Sequence, residues 1–255
     1  MNVAIVTVGD EILAGSTTNT NAAWLAEQIT ARGSTVGRIL TIPDDRDLIA
    51  DYVARWSDDF DAVIVTGGIG GTPDDVTVEA VADGLEREFV VHGEIRERLG
   101  EKAAAFRDEN PEMVEEYDLQ LDIDAAASIP EGATPIVVDE GWAPGCVVEN
   151  VYVFAGIPDE MQAMFESVAD EFRGDAVART IYTPAPEGSL HETLEEVSQQ
   201  FDVSVGSYPR SEHRPGRIRV SSTDLETVDA AIDWLRERVE TTEPPSASDA
   251  GDEST

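Results

Sequence analysis

One cysteine, one lysine and three histidines are all that the 255-residue chain holds of these residue types, and each scarcity excludes a chemistry. A lone Cys146 leaves no internal disulfide framework and no cysteine-cluster metal site. With Lys102 the sole lysine, no Gly-Lys-Ser/Thr phosphate loop exists. His191 opens "HETLE" rather than H-E-x-x-H, so there is no zincin helix. His92 reads as a strand-edge residue and His213 as a loop residue, and no Ser or Cys triad suggests itself. Long apolar runs are also missing. None approaches the ~18 residues that cross a bilayer. The start, "MNVAIVTVGDEI", lacks the basic n-region and long h-region of a secretory signal. The chain is expected to be soluble and cytoplasmic, with no membrane partner.

What is abundant is negative charge. Acidic residues number 53 against 17 basic ones, a net charge of -36. Such a charge strains a compact state by self-repulsion at ordinary ionic strength. In molar salt the Debye length falls to roughly 3 Å and the repulsion is screened. The acids are spread over the whole length rather than collected in a block. That distribution fits a halophile balancing its cytoplasm with salt better than an acidic patch for one basic partner. Tight non-specific binding to nucleic acid, which rests on neutralised phosphates, is not expected of such a surface.

Apolar runs and turn signals alternate along the first part of the chain. "VAIVTV" reads as a buried strand, "NTNAAWLAEQITARG" as a helix, "TVGRILTI" as a strand, "DRDLIADYVARWS" as a helix and "DAVIVT" as a strand. A helix is expected from about Asp74, in "DDVTVEAVADGL", and acidic helical sequence from residue 93 to about 124. Short strands follow in "TPIVVDE", "CVVEN" and "VYVFAG", with a reversal at Glu149-Asn150, and "PDEMQAMFESVADEFRG" is a closing helix. Strands alternating with helices predict a three-layer α/β/α domain with a mostly parallel sheet over residues 1–172. Residues 175–240 predict a small α+β unit in the order β-α-β-β-α. The segment 241–255, rich in Pro, Ser, Thr and acids, is expected to be a disordered tail.

In an open parallel sheet, ligands sit beyond the carboxyl ends of the strands, where two loops attract attention. In "VIVTGGIGGTPDDVT", residues 63–77, Gly67, Gly68, Gly70 and Gly71 let the backbone turn several N–H groups into one concavity, suited to a phosphate. Thr66 and Thr72 add hydroxyls. Carboxylates beside a phosphate call for a cation between them, so Asp74 or Asp75 is a candidate for holding Mg²⁺ or orienting a water. Asp74 as a helix cap and Asp75 as a first-turn acid are the plain structural alternatives. G-x-G-x-x-G does not fit, because Pro73 stands where the third glycine belongs. In the other loop, "GDEILAGSTTNTN", Glu11 is a second carboxylate facing the same crevice and Asn21 either a ligand donor or a cap. The turn "GWAPGC", with Pro144 and Gly145, offers a pocket wall. "YPRSEHRPGRIR" is the one locally basic stretch, with Arg210, Arg214, Arg217 and Arg219. It reads either as a phosphate contact or as a solvated hairpin loop.

Four stretches in order, "VGDEILAGSTTNTNAAWLA", "VIVTGGIGGTPDDVT", "GWAPGC" and "AGIPDEMQAMFE", resemble the molybdopterin-binding fold family and within it the CinA N-terminal type. Residues 175–240 are similar to the small KH-type domain that follows in CinA proteins. The resemblance implies relatives such as MoaB, MogA and MoeA, which bind molybdopterin and adenylylate it or insert metal. It also implies a CinA branch linked to metal-dependent hydrolysis of nucleotide diphosphates such as ADP-ribose or FAD. On that basis Gly67, Gly68 and Gly70 cradle a phosphate, and Asp75 with Glu11 or Asp74 serves a divalent metal (Mg, Mn or Co) and a water. The functions implied are thus a nucleotide-diphosphate pyrophosphatase, a molybdenum-cofactor protein with molybdopterin as ligand, or a non-catalytic nucleotide-binding module. Self-association as a homo-oligomer is expected by analogy. Gly71 departs from the proline of many CinA sequences, the amidase domain of full-length CinA is not present in this chain, and "RPGR" is the nearest thing to a KH G-x-x-G loop.

Overall fold

A computed structural model describes residues 1–113, 122–139, 141–211 and 214–244. The chain divides into two compact units, the first running from Met1 to Gly174 and the second beginning at Asp175.

The first unit is built on strands β1 (Asn2–Val8), β2 (Thr35–Ile42) and β3 (Ala62–Thr66). It continues through β4 (Phe89–Val91), β5 (Ser128–Pro130), β6 (Thr134–Ile136), β7 (Gly145–Val148) and β8 (Val151–Phe154). Six of them form one sheet in the order β2-β1-β3-β8-β7-β6, while β4 and β5 pair separately. The four strands from β2 to β8 are parallel, and β7 alone runs against its neighbours. This is the mixed, mainly parallel α/β sheet expected from the sequence. β3 is buried along its whole length, as a strand covered on both faces must be, which explains its unbroken run of apolar residues. Thr7 stands beside Thr41 on one side and Thr66 on the other, so β1, β2 and β3 end level with one another.

The helices are α1 (Asp10–Leu13), α2 (Thr20–Ala31), α3 (Arg46–Asp59), α4 (Thr77–Gly84) and α5 (Gly93–Glu109), followed by Ile123–Ala126 and Pro158–Val168. Two caps follow directly from sequence: Asn19 accepts the Ala22 amide and Asp45 the Leu48 amide. Phe154, Phe165 and Phe172 are fully buried against one another, with Trp24 meeting Phe165 edge-on at 5.5 Å. Two expectations shift. The loop after β1 contains the one-turn helix α1, and α4 begins at Thr77 rather than near Asp74, with no side-chain cap. Part of the acidic stretch before residue 124, at 114–121, lies outside the described residues.

The second unit follows the expected β-α-β-β-α order. Its strands β9 (Val177–Thr183), β10 (Ser204–Tyr208) and β11 (Gly216–Ser222) form an antiparallel sheet in the order β10-β11-β9. The helices His191–Gln200 and Leu225–Arg236 cover one face, where Val197, Ile218, Val220, Val228 and Leu235 make the core. Thr242 adds an isolated bridge to Tyr182, and 245–255 of the expected tail lie outside the described residues.

Candidate ligand cleft at the carboxyl ends of the central strands

Where β1, β2, β3 and β8 end together, the chain opens a cleft of about 480 Å³ within the first unit. Its lining includes Gly9 and Glu11 after β1, Asp44 after β2, the stretch Thr66–Gly70 with Asp74 and Asp75 after β3, and Ala155–Pro158 after β8. It collects these loops because an in-register parallel sheet delivers every strand's carboxyl end to one edge.

The glycine loop adopts the conformation its composition allows. Gly67 has φ of 103° and Gly68 of 64°, left-handed values disfavoured for residues with a Cβ. A Cβ on Gly67 would run into the Val8 carbonyl, so this glycine also lets β1 and β3 close up. Of the amides proposed to hold a phosphate, that of Gly67 donates to Phe154 O (3.2 Å) and that of Thr72 to Asp75 Oδ2 (2.8 Å). No described residue accepts from the amides of Gly68, Ile69 or Gly70, which leaves three consecutive donors at the cleft. The hydroxyl of Thr66 is committed to Ala155 O at 2.6 Å, and that of Thr72 to Asp74 and Asp75. Gly71, Thr72, Pro144 and Gly145 are not among the residues lining the cleft. Gly145 instead lets β7 pack against β8, since a Cβ there would strike the Val153 carbonyl. Ala143 is the part of the "GWAPGC" turn that reaches the cleft.

Four carboxylates meet the cleft on its glycine side. Glu11 folds back over Gly9, where a Cβ would lie 2.6 Å from its Oε1, and Asp75 covers Gly70 in the same way. The Thr72 hydroxyl and a backbone hydrogen bond hold the Asp74 carboxyl below its usual range. Asp44 is the residue that sequence reasoning passed over. Burial pushes its carboxyl up from the ordinary 3.8; the Asp10 amide, donating to Oδ2 at 2.9 Å, opposes this, and the charges of Asp10, Glu11 and Asp74 add to it. The signal lay in "IPDD" directly after β2: the second aspartate caps α3, and the first is free to face the cleft. Among the described residues, no three of His, Cys, Asp and Glu form a ready metal cage.

The lining also includes Ile157, 60% exposed, and Glu160. Burial raises the Glu160 carboxyl, with the charge of Lys102 opposing. That sole lysine donates to Gly141 O (2.6 Å) and Asp139 O (3.2 Å), pinning the loop before β7. Asn21 donates to Gly156 O at 2.7 Å, tying α2 to the loop after β8, and its own Oδ1 is buried without a partner.

Residues 4–174 match the family model described as "Probable molybdopterin binding domain". The chain belongs to the molybdopterin-binding domain family. Residues 175–244 match a second model, "FAD synthase, middle domain". A protein of Archaeoglobus fulgidus is 37% identical over 241 residues, covering 93% of this chain and 97% of that one. One from Pyrococcus furiosus is 32% identical over 249 residues, with 93% and 97% covered. Among solved structures, that of "the protein CinA with unknown function from Thermoplasma acidophilum" is 30% identical, with a TM-score of 0.56. It covers 67% of this chain, and the match takes in 97% of that CinA chain. The protein is thus a CinA-like member of the molybdopterin-binding domain family with an FAD-synthase-type middle domain. The cleft described above lies wholly inside the part that matches the family model. No helix of the described residues is long and apolar enough to cross a membrane.

Proposed function

We propose that the cleft binds a nucleotide diphosphate of the ADP-ribose or FAD type and hydrolyses its phosphoanhydride bond. The observation that carries this reading is the row of unengaged amides at Gly68, Ile69 and Gly70 beside the carboxylates of Glu11, Asp44, Asp74 and Asp75. Amides alone suit any phosphate; amides with four acids suit a phosphate that arrives with a cation. The donor set is all carboxylate oxygen, which fits a hard divalent ion such as Mg²⁺ or Mn²⁺, or Co²⁺. Held by Asp75 and Glu11, such an ion would neutralise the diphosphate. With no closed protein cage among the described residues, phosphate oxygens and water would complete its shell.

The amides hold one phosphoryl group and stabilise the charge that develops on it. Asp44, whose burial favours the protonated form, takes the proton of the attacking water as its oxygen bonds to phosphorus and the bridging P–O bond breaks. A nucleoside monophosphate and a second phosphate monoester leave. The likeness of residues 175–244 to an FAD synthase domain supports a flavin or adenine nucleotide as substrate. A second reading, a molybdenum-cofactor protein that binds or adenylylates molybdopterin, is favoured by the family match of residues 4–174. By analogy with CinA proteins we further propose a KH-type second unit and self-association as a homo-oligomer and, from the acids spread along the whole chain, a cytoplasm rich in salt.

Purified protein in high salt with Mg²⁺, Mn²⁺ or Co²⁺ is offered ADP-ribose, FAD or molybdopterin. Release of a mononucleotide, reduced at least about 100-fold in Asp75→Asn, is the expected result. Adenylylated molybdopterin replaces this reading with the second, and saturable binding without turnover leaves a nucleotide-binding module.

A further inference from the structure

The cleft leaves the basic stretch of the second unit unused. On the sheet face that carries no core residue, the register sets three rows across the strands. Tyr208, Arg217 and Tyr182 make one; Gly206, Arg219 and Thr180 the next; Ser204, Ser221 and Ala178 the third. None of these nine positions is acidic, in a chain with 53 acids among 255 residues. Arg217 is exposed, and its guanidinium lies 4.5 Å from the centroid of the Tyr208 ring, itself 43% exposed. A Cβ on Gly206 would come within 3.3 Å of that ring, so the tyrosine lies down over the glycine. Among the described residues no carboxylate pairs with Arg217 or Arg219, whereas Arg32, Arg46, Arg87, Arg96 and Arg98 each hold one.

We propose that this sheet face binds single-stranded nucleic acid, with Arg217 and Arg219 on successive phosphates and the Tyr208–Arg217 pair as a platform for a base. Two residues apart on one strand, the arginines stand about 7 Å apart, a spacing for a repeating anion rather than one phosphate. The three rows spread these side chains over a pleated surface rather than converging them on one point. A polymer gains there by repeating both a charge and a flat ring, and only an unpaired strand lays its bases on a sheet. An acidic surface of a second copy would satisfy the arginines but leave the two tyrosines and the glycine floor without a role. The chain's net charge opposes binding through its long-range field, which molar salt screens, while stacking acts at contact and survives salt.

The test is fluorescence anisotropy of the full chain with a short labelled single-stranded oligonucleotide, from low to molar potassium chloride. Saturable binding is expected. Tyr208→Ala weakens it about tenfold while Tyr208→Phe keeps it. Arg217→Gln and Arg219→Gln each lower the slope of log affinity against log salt by about 0.7. Among the described residues Arg219 makes no ring contact, so its variant reports the ligand separately from Tyr208 packing, and circular dichroism checks that every variant folds. Absence of saturable binding overturns the proposal. So does unchanged affinity and slope in Arg219→Gln, equal affinity for a duplex, or competition by AMP as strong as by the oligonucleotide. Self-association that Arg217→Gln abolishes, with no oligonucleotide bound, overturns it in favour of a second copy.

Discussion

Asp44 is pulled two ways: removal from water favours its protonated form, and the Asp10 amide favours the carboxylate. Burial dominates, so the folded pKa lies above 3.8. The native state then binds more protons than the unfolded chain between that value and the folded pKa, and stability falls as pH rises through the window. At neutral pH the ionised side chain is therefore a stability cost kept at the cleft. Asn in its place still accepts the Asp10 amide through Oδ1. Asp44→Asn is expected to melt higher than the parent at pH 7, with the difference closing below about pH 4. It is also expected to lose the hydrolytic activity proposed above. Thermal unfolding of both proteins across pH, beside a turnover assay, checks it; a variant less stable at pH 7 contradicts it.

At the scale of elements, the glycine turn after β3 and the pairing of β7 with β8 are the tightest fits around the cleft. Gly67→Ala is expected to lose about 1–3 kcal/mol from backbone strain alone. More follows from the forced separation of β1 from β3, and urea unfolding measures the sum. β7 also carries Cys146, completely buried, whose thiol burial pushes up to about 12. Only the thiolate is a nucleophile, so a thiol reagent is expected to leave the native protein unmodified and to label it in denaturant. Between α3 and α4, Arg46 reaches both Asp83 (2.6 Å) and Glu79 (2.8 Å). All three side chains are well exposed, and such surface pairs contribute about 0–1 kcal/mol. The close approach of Gly84 to α3, where a Cβ would lie 2.6 Å from the Ala50 carbonyl oxygen and 3.2 Å from Val53 Cβ, holds that contact instead.

For the whole molecule the dominant long-range term is the charge of -36. Raising salt from 0.1 M to 1 M shortens the Debye length from about 10 Å to about 3 Å, which removes most repulsion between surface carboxylates. The melting temperature is expected to climb steadily over that range. A flat or falling curve would show that this charge does not limit stability.

Alternating apolar runs and turn residues specify elements by local physics, so the parallel strands, the helices between them and the smaller β-α-β-β-α unit were legible in sequence. The glycine loop was legible for the same reason: four glycines ending a buried strand have few other uses. Asp44 was not, because its place depends on β2 lying in register beside β1, a pairing between residues 33 or 34 apart that no local pattern encodes. The occupied amide of Gly67 and the committed hydroxyl of Thr66 were settled in the same way. Sequence alone determined which residues turn, extend or coil. Packing decided which polar atoms are used up inside the protein and which remain for a ligand, because a hydrogen-bond donor serves the partner that folding brings closest.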